Sequence, residues 1–401
     1  MKYVLIIGDG MADTGLAPLN GKTPLEHLDL PHFNILAGGE HGTARTVPEG
    51  VPAGSDTAIL NIFGYDPRKY YSGRSVLEAA GVGVLLKEGE VSFRVNLCAV
   101  EDGIILSHNG GGVEGDEAEI LMQDLIAHPD FAAIAEKIAL QITVSRTFRH
   151  VGVIDAPKAG EFILKEPHNI LGEPWKDYLP KGALCIELTD LMLASHRILD
   201  QHPINIARRQ RGQLPANVIW PWGAGRAAQL PSFPEKYGHA GAVISAVPLV
   251  WGIANLSGLP FPQVEGTTGD LDTNYGGKVN ALLQALKNGD DFAAIHVEAP
   301  DEMAHAGDLE KKLEAIRRLD QFVIAPLLEE LPQIDPDFRI LLLSDHPTLL
   351  TTRTHDGNPV PYAIYDSRQP GQPRKFSESA AKQGPALENG DLLMPRLFNQ
   401  G

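Results

Sequence analysis

The chain has 401 residues, 34 of them basic and 51 acidic, so its formal net charge is −17. Hydrophobic residues make up 43% and charged residues 21%, a globular composition that excludes a disordered or fibrous protein. The acidic balance argues against a nucleic-acid partner, because proteins that bind nucleic acids usually present a basic face. This length predicts two domains, or one large core with an insertion.

The predicted core elements alternate between short apolar strands and helices along the chain. Apolar runs at residues 3–7, 292–297 and 339–343 are typical of buried parallel strands. Helices are predicted from residue 57, over 278–286 and over 307–331, the last with an apolar face. Residues 238–264 lack charge but contain prolines and glycines, which favours a strand followed by a helix from Pro248 over a membrane span. These patterns predict an α/β core with a mainly parallel sheet.

The middle of the chain has a different pattern. Short strand-like pieces and one helix near residues 117–126 are separated by glycine and proline. We therefore expect a smaller α+β domain at residues 89–213, inserted into a discontinuous core domain of residues 1–88 and 214–401. Cys98 and Cys185 show no metal or disulfide spacing and are predicted to be buried thiols of a cytoplasmic protein. The N-terminus contains too few apolar residues for a signal peptide.

An acidic residue follows each of the three predicted core strands: Asp9, Asp301 and Asp345. One such residue would be more typical of a helix N-cap. Three of them indicate a site, because ligands of open α/β sheets collect at the carboxyl ends of the strands. His305 lies on the same helical face as Asp301, which it follows by one turn. His346 and His355, next to and shortly after Asp345, complete the candidate ligands.

Ser55 precedes an apolar helix and allows two interpretations. It is either the N-cap of that helix or a nucleophile in the positive field of the helix N-terminus, where phosphate is favoured. A nearby cation would lower the pKa of its hydroxyl. Carboxylates, imidazoles and a serine oxygen suit two divalent ions that could clamp a phosphoryl group while serine attacks it. The sequence contains no GxxxxGK[ST] motif, which argues against a P-loop kinase.

These residues lie in an ordered set of motifs that resembles the alkaline phosphatase superfamily and, more closely, the archaeal-type cofactor-independent phosphoglycerate mutases, which have bacterial members. The motifs include Ile-Gly-Asp-Gly-Met-Ala-Asp, Gly-Ser-Asp-Thr-Ala, Phe-Arg-Val-Asn, Thr-Gly-Asp-Leu-Asp-Thr-Asn-Tyr-Gly-Gly-Lys, His-Val-Glu-Ala-Pro-Asp-Glu-Met-Ala-His and Ser-Asp-His-Pro-Thr. The resemblance implies an alkaline-phosphatase-like three-layer core and an inserted lid that closes over a small phosphorylated metabolite and excludes water.

The resemblance also implies the ligand sets and the reaction. One ion would be held by Asp301, His305 and His355, and a second by Asp9, Asp345, His346 and the oxygen of Ser55. Mn²⁺ is the expected ion, with Zn²⁺, Co²⁺ or Mg²⁺ as alternatives. Ser55 would take phosphate from 3-phosphoglycerate, and the bound glycerate would receive it back on its other hydroxyl, giving 2-phosphoglycerate.

The predicted lid departs from the archaeal pattern. An arginine-rich segment usually follows the Phe-Arg-x-Asn strand, but this chain has Ile-Leu-Ser-His-Asn-Gly-Gly-Gly there. Residues 166–172 resemble a bacterial branch, some of whose members are labelled as homoserine kinases. The basic side chains that remain as candidate substrate-binding groups are Arg74, Arg94, Arg149, His168 and Lys278, with His108 as a further replacement for the arginines.

Three functions follow from these observations. The first is a phosphoglycerate mutase. The second keeps the same site but is a metal-dependent phosphatase, or a phosphotransferase acting on another small hydroxylated metabolite such as homoserine. The third is a non-catalytic metal-binding or sensory protein that kept the fold. A mutase must retain its dephosphorylated intermediate, whereas a phosphatase admits water. No nucleic-acid, membrane or obligate protein partner is indicated.

Overall fold

The structure is a computed structural model that describes residues 1–156, 160–227 and 229–399. The chain forms two compact units, called here the core unit (residues 1–71 and 229–401) and the inserted unit (residues 72–228). These boundaries differ from the expected ones after residues 88 and 213. The reason is that helix Arg74–Gly81 and strand Val218–Arg226 both pack against the sheet of the inserted unit.

The elements within the described residues are numbered in chain order. The strands are β1 (Lys2–Gly8), β2 (Glu40–Ala44), β3 (Glu90–Glu101), β4 (Ile104–Ser107), β5 (Gln141–Thr143), β6 (Arg149–Asp155), β7 (Phe162–Ile163), β8 (Lys181–Gly182), β9 (Val218–Arg226), β10 (Gly241–Ile244), β11 (Phe292–Val297), β12 (Phe338–Leu343), β13 (Thr348–Leu349), β14 (Thr354–His355), β15 (Val360–Asp366) and β16 (Ala386–Leu387). The α-helices are α1 (Pro24–His27), α2 (Pro31–Leu36), α3 (Ser55–Ile62), α4 (Pro67–Tyr70), α5 (Arg74–Gly81), α6 (Gly115–Ala127), α7 (Pro129–Lys137), α8 (Cys185–Asp200), α9 (Pro203–Gln210), α10 (Phe233–Tyr237), α11 (Pro248–Leu256), α12 (Tyr275–Lys287), α13 (Ala299–Ala306), α14 (Leu309–Leu319), α15 (Ala325–Ile334), α16 (Glu378–Ala381) and α17 (Leu393–Leu397). Short 3₁₀ turns cover Ala17–Leu19, Pro167–Asn169, Trp175–Tyr178 and Gly390–Leu392, and a π turn covers Asp320–Ile324. Among the described residues, the helices are too short or too polar to cross a membrane.

The core unit is built around a seven-stranded sheet with the order β10-β11-β1-β12-β15-β2-β16. The first four strands are mutually parallel, and only β15 runs antiparallel to its two neighbours. The predicted α/β class with a mainly parallel sheet is therefore confirmed. Each of the three apolar runs singled out in the sequence is a central strand, because continuous apolar residues suit a strand that is buried on both faces.

Both faces of this sheet are covered. Val4 and Ile6 of β1 point into a core that includes side chains of α12 and α14. On strand β11, the fully buried Phe292 packs against Phe63, just after α3, and against Phe233 of α10. Helices therefore lie on both sides of the sheet, in agreement with the expected three layers. Each large apolar side chain buried in this way contributes roughly 1.5–3 kcal/mol.

Two of the predicted helices begin or continue differently in the structure. The helix expected over residues 307–331 begins instead at Leu309, because Gly307, with φ 72°, ends α13; α14 and α15 follow one another through the π turn. A left-handed residue such as Gly307 cannot continue a right-handed helix. Helix α3 has Gly54 as its N-cap, so Ser55 is its first residue and its side chain caps nothing.

The inserted unit has an antiparallel sheet in the order β4-β3-β6-β5, with β9 paired to β3. Apolar residues of α6, α7 and α8 pack with β3 and β6 in one hydrophobic core. This is the α+β architecture that the sequence predicts. Cys98 on β3 is buried as expected, whereas Cys185, at the start of α8, is only half-buried.

Candidate functional site

The carboxyl ends of the central strands bring the three predicted carboxylates together. Strand β1 is hydrogen-bonded to β11 on one side and to β12 on the other, all three being parallel. Asp9 and Asp345 follow β1 and β12, and Asp301 lies in the first turn of α13, just after β11. All three are buried. Their convergence follows from the strand order, as expected for an open α/β sheet.

Ser55 reaches the same place from the start of α3. Its Oγ lies 3.3 Å from Asp9 Oδ2, which accepts its hydrogen bond, and 3.1 Å from His346 Nε2. Ser55 is half-buried, and as the first residue of α3 it places the N-terminus of this helix beside Asp9. A serine in this position keeps its hydroxyl free of capping and exposed to the positive end of the helix dipole.

A first cluster joins Asp301, His305 and His355. His305 Nε2 lies 3.2 Å from Asp301 Oδ2 and 2.9 Å from His355 Nε2. His355 Nε2 is 3.6 Å from Asp301 Oδ1. The four-residue spacing of Asp301 and His305 on α13 places one above the other, and the β13–β14 hairpin brings in His355. The predicted grouping of these three side chains is therefore present in the structure.

A second cluster joins Asp9, Asp345 and His346. His346 Nε2 lies 3.2 Å from Asp345 Oδ2 and 3.7 Å from Asp9 Oδ1. Within the described residues, the buried oxygens Asp9 Oδ1 and Asp345 Oδ2 accept no hydrogen bond. Buried carboxylate oxygens without donors are costly unless a cation lies against them, so this donor set fits a divalent ion.

The two clusters share a histidine. Ligand atoms of Asp9, Asp345 and His346 lie within 4.8 Å of one another, and so do those of Asp301, His346 and His355. His346 therefore lies between the predicted ligand sets. It is assigned above to the second set, and its position equally allows contact with the first. Two neighbouring ions at this site would both lie next to His346, which suits a two-metal arrangement.

The electrostatics of the clusters show an excess of negative charge. Burial, together with the charges of Asp345 and Asp301, raises the pKa of Asp9 well above its usual range. Burial alone would also raise the pKa of Asp301, but the imidazoles of His305 and His355 hold it well below that range. The hydrogen bond that His305 donates to the Asp301 carboxylate raises the pKa of His305 to about 9. Divalent cations would relieve the repulsion among these carboxylates.

The structure adds a histidine that the sequence analysis did not single out. His296 Nε2 lies 2.8 Å from Asp9 Oδ2, and its Nδ1 lies 3.1 Å from Ser245 Oγ. Lys278, predicted to bind substrate, is fully buried in the core unit, where its Nζ donates to the carbonyl of His296 at 3.1 Å. Burial lowers the pKa of Lys278 to about 8. His296 is the first residue of the motif His-Val-Glu-Ala-Pro-Asp-Glu-Met-Ala-His. It lies inside an apolar strand, where a histidine looks like a core residue, so the sequence did not single it out.

The remaining predicted substrate-binding residues lie in the inserted unit. Arg94 is buried, with its guanidinium 4.2 Å from the centroid of the Trp222 ring and its Nε 2.9 Å from Glu78 Oε2. Arg74 on α5 binds the other oxygen of Glu78 at 3.0 Å. His168 packs edge-on against Trp222, with 5.4 Å between the ring centroids. Arg74, Arg94 and His168 thus belong to one cluster.

Two more basic side chains, His108 and Arg149, border this cluster. The ring of His108 lies 6.1 Å from that of His168 and 6.1 Å from that of Phe148. The guanidinium of Arg149 lies 4.9 Å from the Phe148 ring centroid. Burial, and then the neighbouring His168 and arginines, lower the pKa of His108. We name Arg74, Arg94, His108, Arg149 and His168 the basic cluster of the inserted unit.

The fold and the site together define a class of α/β protein, in which a helix presents a serine to clustered carboxylates and imidazoles at one edge of a parallel sheet. Residues 37–205 match the family described as 2,3-bisphosphoglycerate-independent phosphoglycerate mutase. A protein of that name from Methanosarcina acetivorans is 44% identical over 96% of this chain and 96% of its own. Its namesake from Methanothrix thermoacetophila is 41% identical over 98% of each chain. The chain therefore belongs to the 2,3-bisphosphoglycerate-independent phosphoglycerate mutase family.

Two solved structures share this fold. A protein of Pyrococcus horikoshii superposes with a TM-score of 0.80 at 29% identity, covering 100% of this chain and 98% of its own. The cofactor-independent phosphoglycerate mutase of Thermoplasma acidophilum superposes with a TM-score of 0.66 at 24% identity, covering 100% of both chains. The second likeness concerns the fold alone. The resemblance inferred from the motifs is thus confirmed at the level of family.

Proposed function

We propose that the chain interconverts 3-phosphoglycerate and 2-phosphoglycerate through a phosphoserine at Ser55. The observation that carries the proposal is the position of Ser55 Oγ, within 3.3 Å of Asp9 Oδ2 and 3.1 Å of His346 Nε2. The names of the relatives support the same reaction. We place the enzyme in the cytoplasm and expect a small phosphorylated metabolite as its substrate.

Two divalent ions would bind at the clusters of the core unit. Asp301, His305 and His355 would hold one ion. The ligands of the other ion would be Asp9, Asp345, His346 and the oxygen of Ser55. Mn²⁺ is the ion we expect, with Zn²⁺, Co²⁺ or Mg²⁺ as alternatives. When bound, the ions supply positive charge that stabilises the phosphoryl group and the serine oxygen.

The reaction needs no external phosphate acceptor, because Ser55 and then the second hydroxyl of glycerate accept the phosphoryl group. Ser55 Oγ attacks phosphorus, and the bond from phosphorus to the 3-oxygen of the substrate breaks. That oxygen takes up the proton that the Ser55 hydroxyl gives up, which leaves glycerate and phosphoserine. In the second half, the 2-oxygen of glycerate attacks the same phosphorus and the bond from phosphorus to Ser55 Oγ breaks. Ser55 takes up the proton that the 2-hydroxyl gives up, which leaves 2-phosphoglycerate and the free enzyme. Asp9 Oδ2 accepts the hydrogen bond of the Ser55 hydroxyl and so orients Oγ for attack.

The basic cluster of the inserted unit would bind the negatively charged groups of the substrate. Arg94 is the central member of this proposal, because its guanidinium is held in place by both Trp222 and Glu78. A planar guanidinium can hydrogen-bond carboxylate or phosphate with two parallel bonds. In the core unit, Lys278 supplies a buried positive charge beside His296, whose ring contacts Asp9.

The first experiment is an enolase-coupled assay with 3-phosphoglycerate, using protein stripped of metal and then restored with Mn²⁺. A free-phosphate assay runs beside it. We expect coupled turnover that depends on Mn²⁺ and is not accompanied by phosphate release. Silence in the coupled assay at saturating Mn²⁺ would contradict the mutase reaction.

Ser55→Ala tests the nucleophile, and Ser232→Ala is its control. Ser232 likewise lies at the start of a helix, as the N-cap residue of α10, and its side chain makes no capping hydrogen bond. We expect Ser55→Ala to lower kcat by about 10⁴-fold or more, the scale of a lost serine nucleophile, with folding and much of the metal affinity retained. Turnover near the wild-type rate would remove serine from the mechanism.

A second candidate function keeps the site and changes the acceptor. The observation in its favour is that residues 104–112 of the inserted unit carry His108 but no arginine. A phosphatase would release phosphate from 3-phosphoglycerate, and a phosphotransferase would act on another small hydroxylated metabolite such as homoserine. Phosphate release without coupled turnover would favour the phosphatase, and inactivity in both assays would direct the search to other acceptors.

A further inference from the structure

A fully buried lysine, Lys312 on α14, lies beside the clusters of the core unit. Its ammonium group donates to Asp13 Oδ2 at 2.8 Å, to the carbonyl of Thr348 at 2.6 Å and to the carbonyl of Ala12 at 3.5 Å. Three donors therefore meet three acceptors, and Asp13, also fully buried, balances the charge. Buried ion pairs often contribute little net stability. The role of this pair is therefore to be sought in the groups that it holds in place.

The lysine connects three chain segments that carry or adjoin candidate ligands. Ala12 and Asp13 belong to the segment after β1, Thr348 to the segment after β12, and Lys312 to the helix after α13. Backbone amides join two of these segments further. The amide of Thr348 donates to the carbonyl of Ala12 at 3.2 Å, and that of Leu350 donates to Asp13 Oδ2 at 3.2 Å. Lys312 is the point at which all three segments meet.

The side chain of Thr348 links the two clusters. Its hydroxyl donates to Asp301 Oδ1 and lies 3.2 Å from His346 Nδ1. An ionised carboxylate can only accept, so the hydroxyl hydrogen is committed to Asp301, and the threonine oxygen is left to accept from Nδ1–H of His346. The Nε2 of His346, which faces Ser55 and the carboxylates, then carries the lone pair that a metal ligand needs.

We propose that Lys312, acting through Thr348, is a positioning residue that holds Asp301 and His346 in the geometry required by the two divalent ions. The proposal rests on the proposed function, because it assigns a role toward ions that the function requires. The carbonyl of Thr348 is fixed by the ammonium group, and this fixes the side chain that orients both ligands. Lys312 itself touches neither ion nor substrate.

The test measures Mn²⁺ affinity by competition with a chelator, first on the wild-type protein. If the wild type binds Mn²⁺ but has no mutase activity, the proposed function fails while the positioning role remains testable. Lys312→Met is expected to weaken Mn²⁺ binding 10- to 100-fold, the usual effect of removing a group that orients a metal ligand. The double variant Lys312→Met with Asp13→Asn removes both charges, and it decides the question if the single variant does not fold.

A second pair of variants tests the link itself. Thr348→Val keeps the side-chain volume but removes the hydroxyl, and it should weaken Mn²⁺ binding to a similar extent, whereas Thr348→Ser should restore it. In metal-free Lys312→Met, the amides of Thr348 and Leu350 should exchange with solvent at least 10-fold faster than in the wild type.

Asp320→Asn is the matched control, because it also changes a buried charge in the core unit. Asp320 caps α2 by accepting from the amides of His32 and Phe33, and it contacts no candidate ligand in the described residues. It should lower stability and leave Mn²⁺ affinity unchanged. Mn²⁺ affinities within twofold of wild type in the folded lysine variants and in Thr348→Val would overturn the proposal and reduce Lys312 to a structural role.

Discussion

The amide of Gly10 donates a 3.0 Å hydrogen bond to Asp345 Oδ1, which joins the segment after β1 to the segment after β12. On its other side, Gly10 has no room for a side chain. A Cβ at this position would lie 2.5 Å from Asp301 Oδ1 and 2.6 Å from Thr348 Oγ1, and φ is +60°. Gly10 therefore lets the backbone pass between carboxylates of both clusters.

Gly10→Ala should weaken divalent-ion binding about 10- to 100-fold, because the added methyl group must displace the carboxylate of Asp301. Gly21→Ala is the control, since Gly21 also has a positive φ, +79°, but a Cβ there would meet nothing within 4 Å. Both changes cost about 1–2 kcal/mol of backbone strain. Chelator competition measures the Mn²⁺ affinity of both variants. Equal affinities would show that the close approach of the Gly10 backbone to Asp301 does not affect ion binding.

Asp301→Asn should remove one of the two ions. The amide keeps the shape of the side chain but loses the charge that His305 and His355 face, and an affinity loss of about 100-fold or more is expected. Elemental analysis after gel filtration measures the number of ions per chain. Asp308→Asn, at the N-cap of α14, leaves the cluster intact and should keep two ions. An unchanged stoichiometry in Asp301→Asn would refute the proposed ligand set.

Arg94→Met should raise KM for 3-phosphoglycerate about 10- to 100-fold, the loss expected for a hydrogen bond to a charged group. The matched control is Arg146→Met, in the same unit, where an exposed arginine pairs with Asp116 and Glu119. Steady-state kinetics on folded variants checks the outcome. If both variants kept the wild-type KM, Arg94 would be an internal partner of Glu78 and not a substrate-binding residue.

Glu378 should make stability depend on pH. Burial raises its pKa to about 6, above the usual value, although it accepts hydrogen bonds from Thr23 Oγ1 and the amide of Asp13. The folded state then binds more protons than the unfolded state between about pH 4.5 and 6, so this group lowers the free energy of unfolding as pH rises through that window.

The expected size of this contribution is about 1–2 kcal/mol. Glu378→Gln should remove it, and the difference between wild type and variant should grow in favour of the variant from pH 5 to pH 7. Urea unfolding at both pH values measures the difference. Glu388→Gln, an exposed glutamate of the same unit, is the control. A difference that stays constant with pH would show that Glu378 does not titrate in this window.

Most of the candidate site could be predicted because its chemistry is local in the sequence. Asp9 and Asp345 follow apolar strands, and Asp301 and His305 share one turn of helix, patterns that a short window reveals. The boundaries of the inserted unit could not be predicted as well. Only the pairing of β9 with β3, and the packing of α5 against these two strands, assign both elements to the inserted unit.

The sequence by itself determined the inventory of the site: which carboxylates, imidazoles and serine are present, and that they follow buried parallel strands. Only the tertiary structure decided the supporting contacts, such as those of His296 to Asp9 and of Lys312 to Thr348. In a sequence, a histidine inside an apolar strand looks like a core residue. A lysine on an amphipathic helix looks like a surface residue. Their partners lie 287 and 36 residues away, and such contacts depend on strand order and helix packing rather than on local pattern.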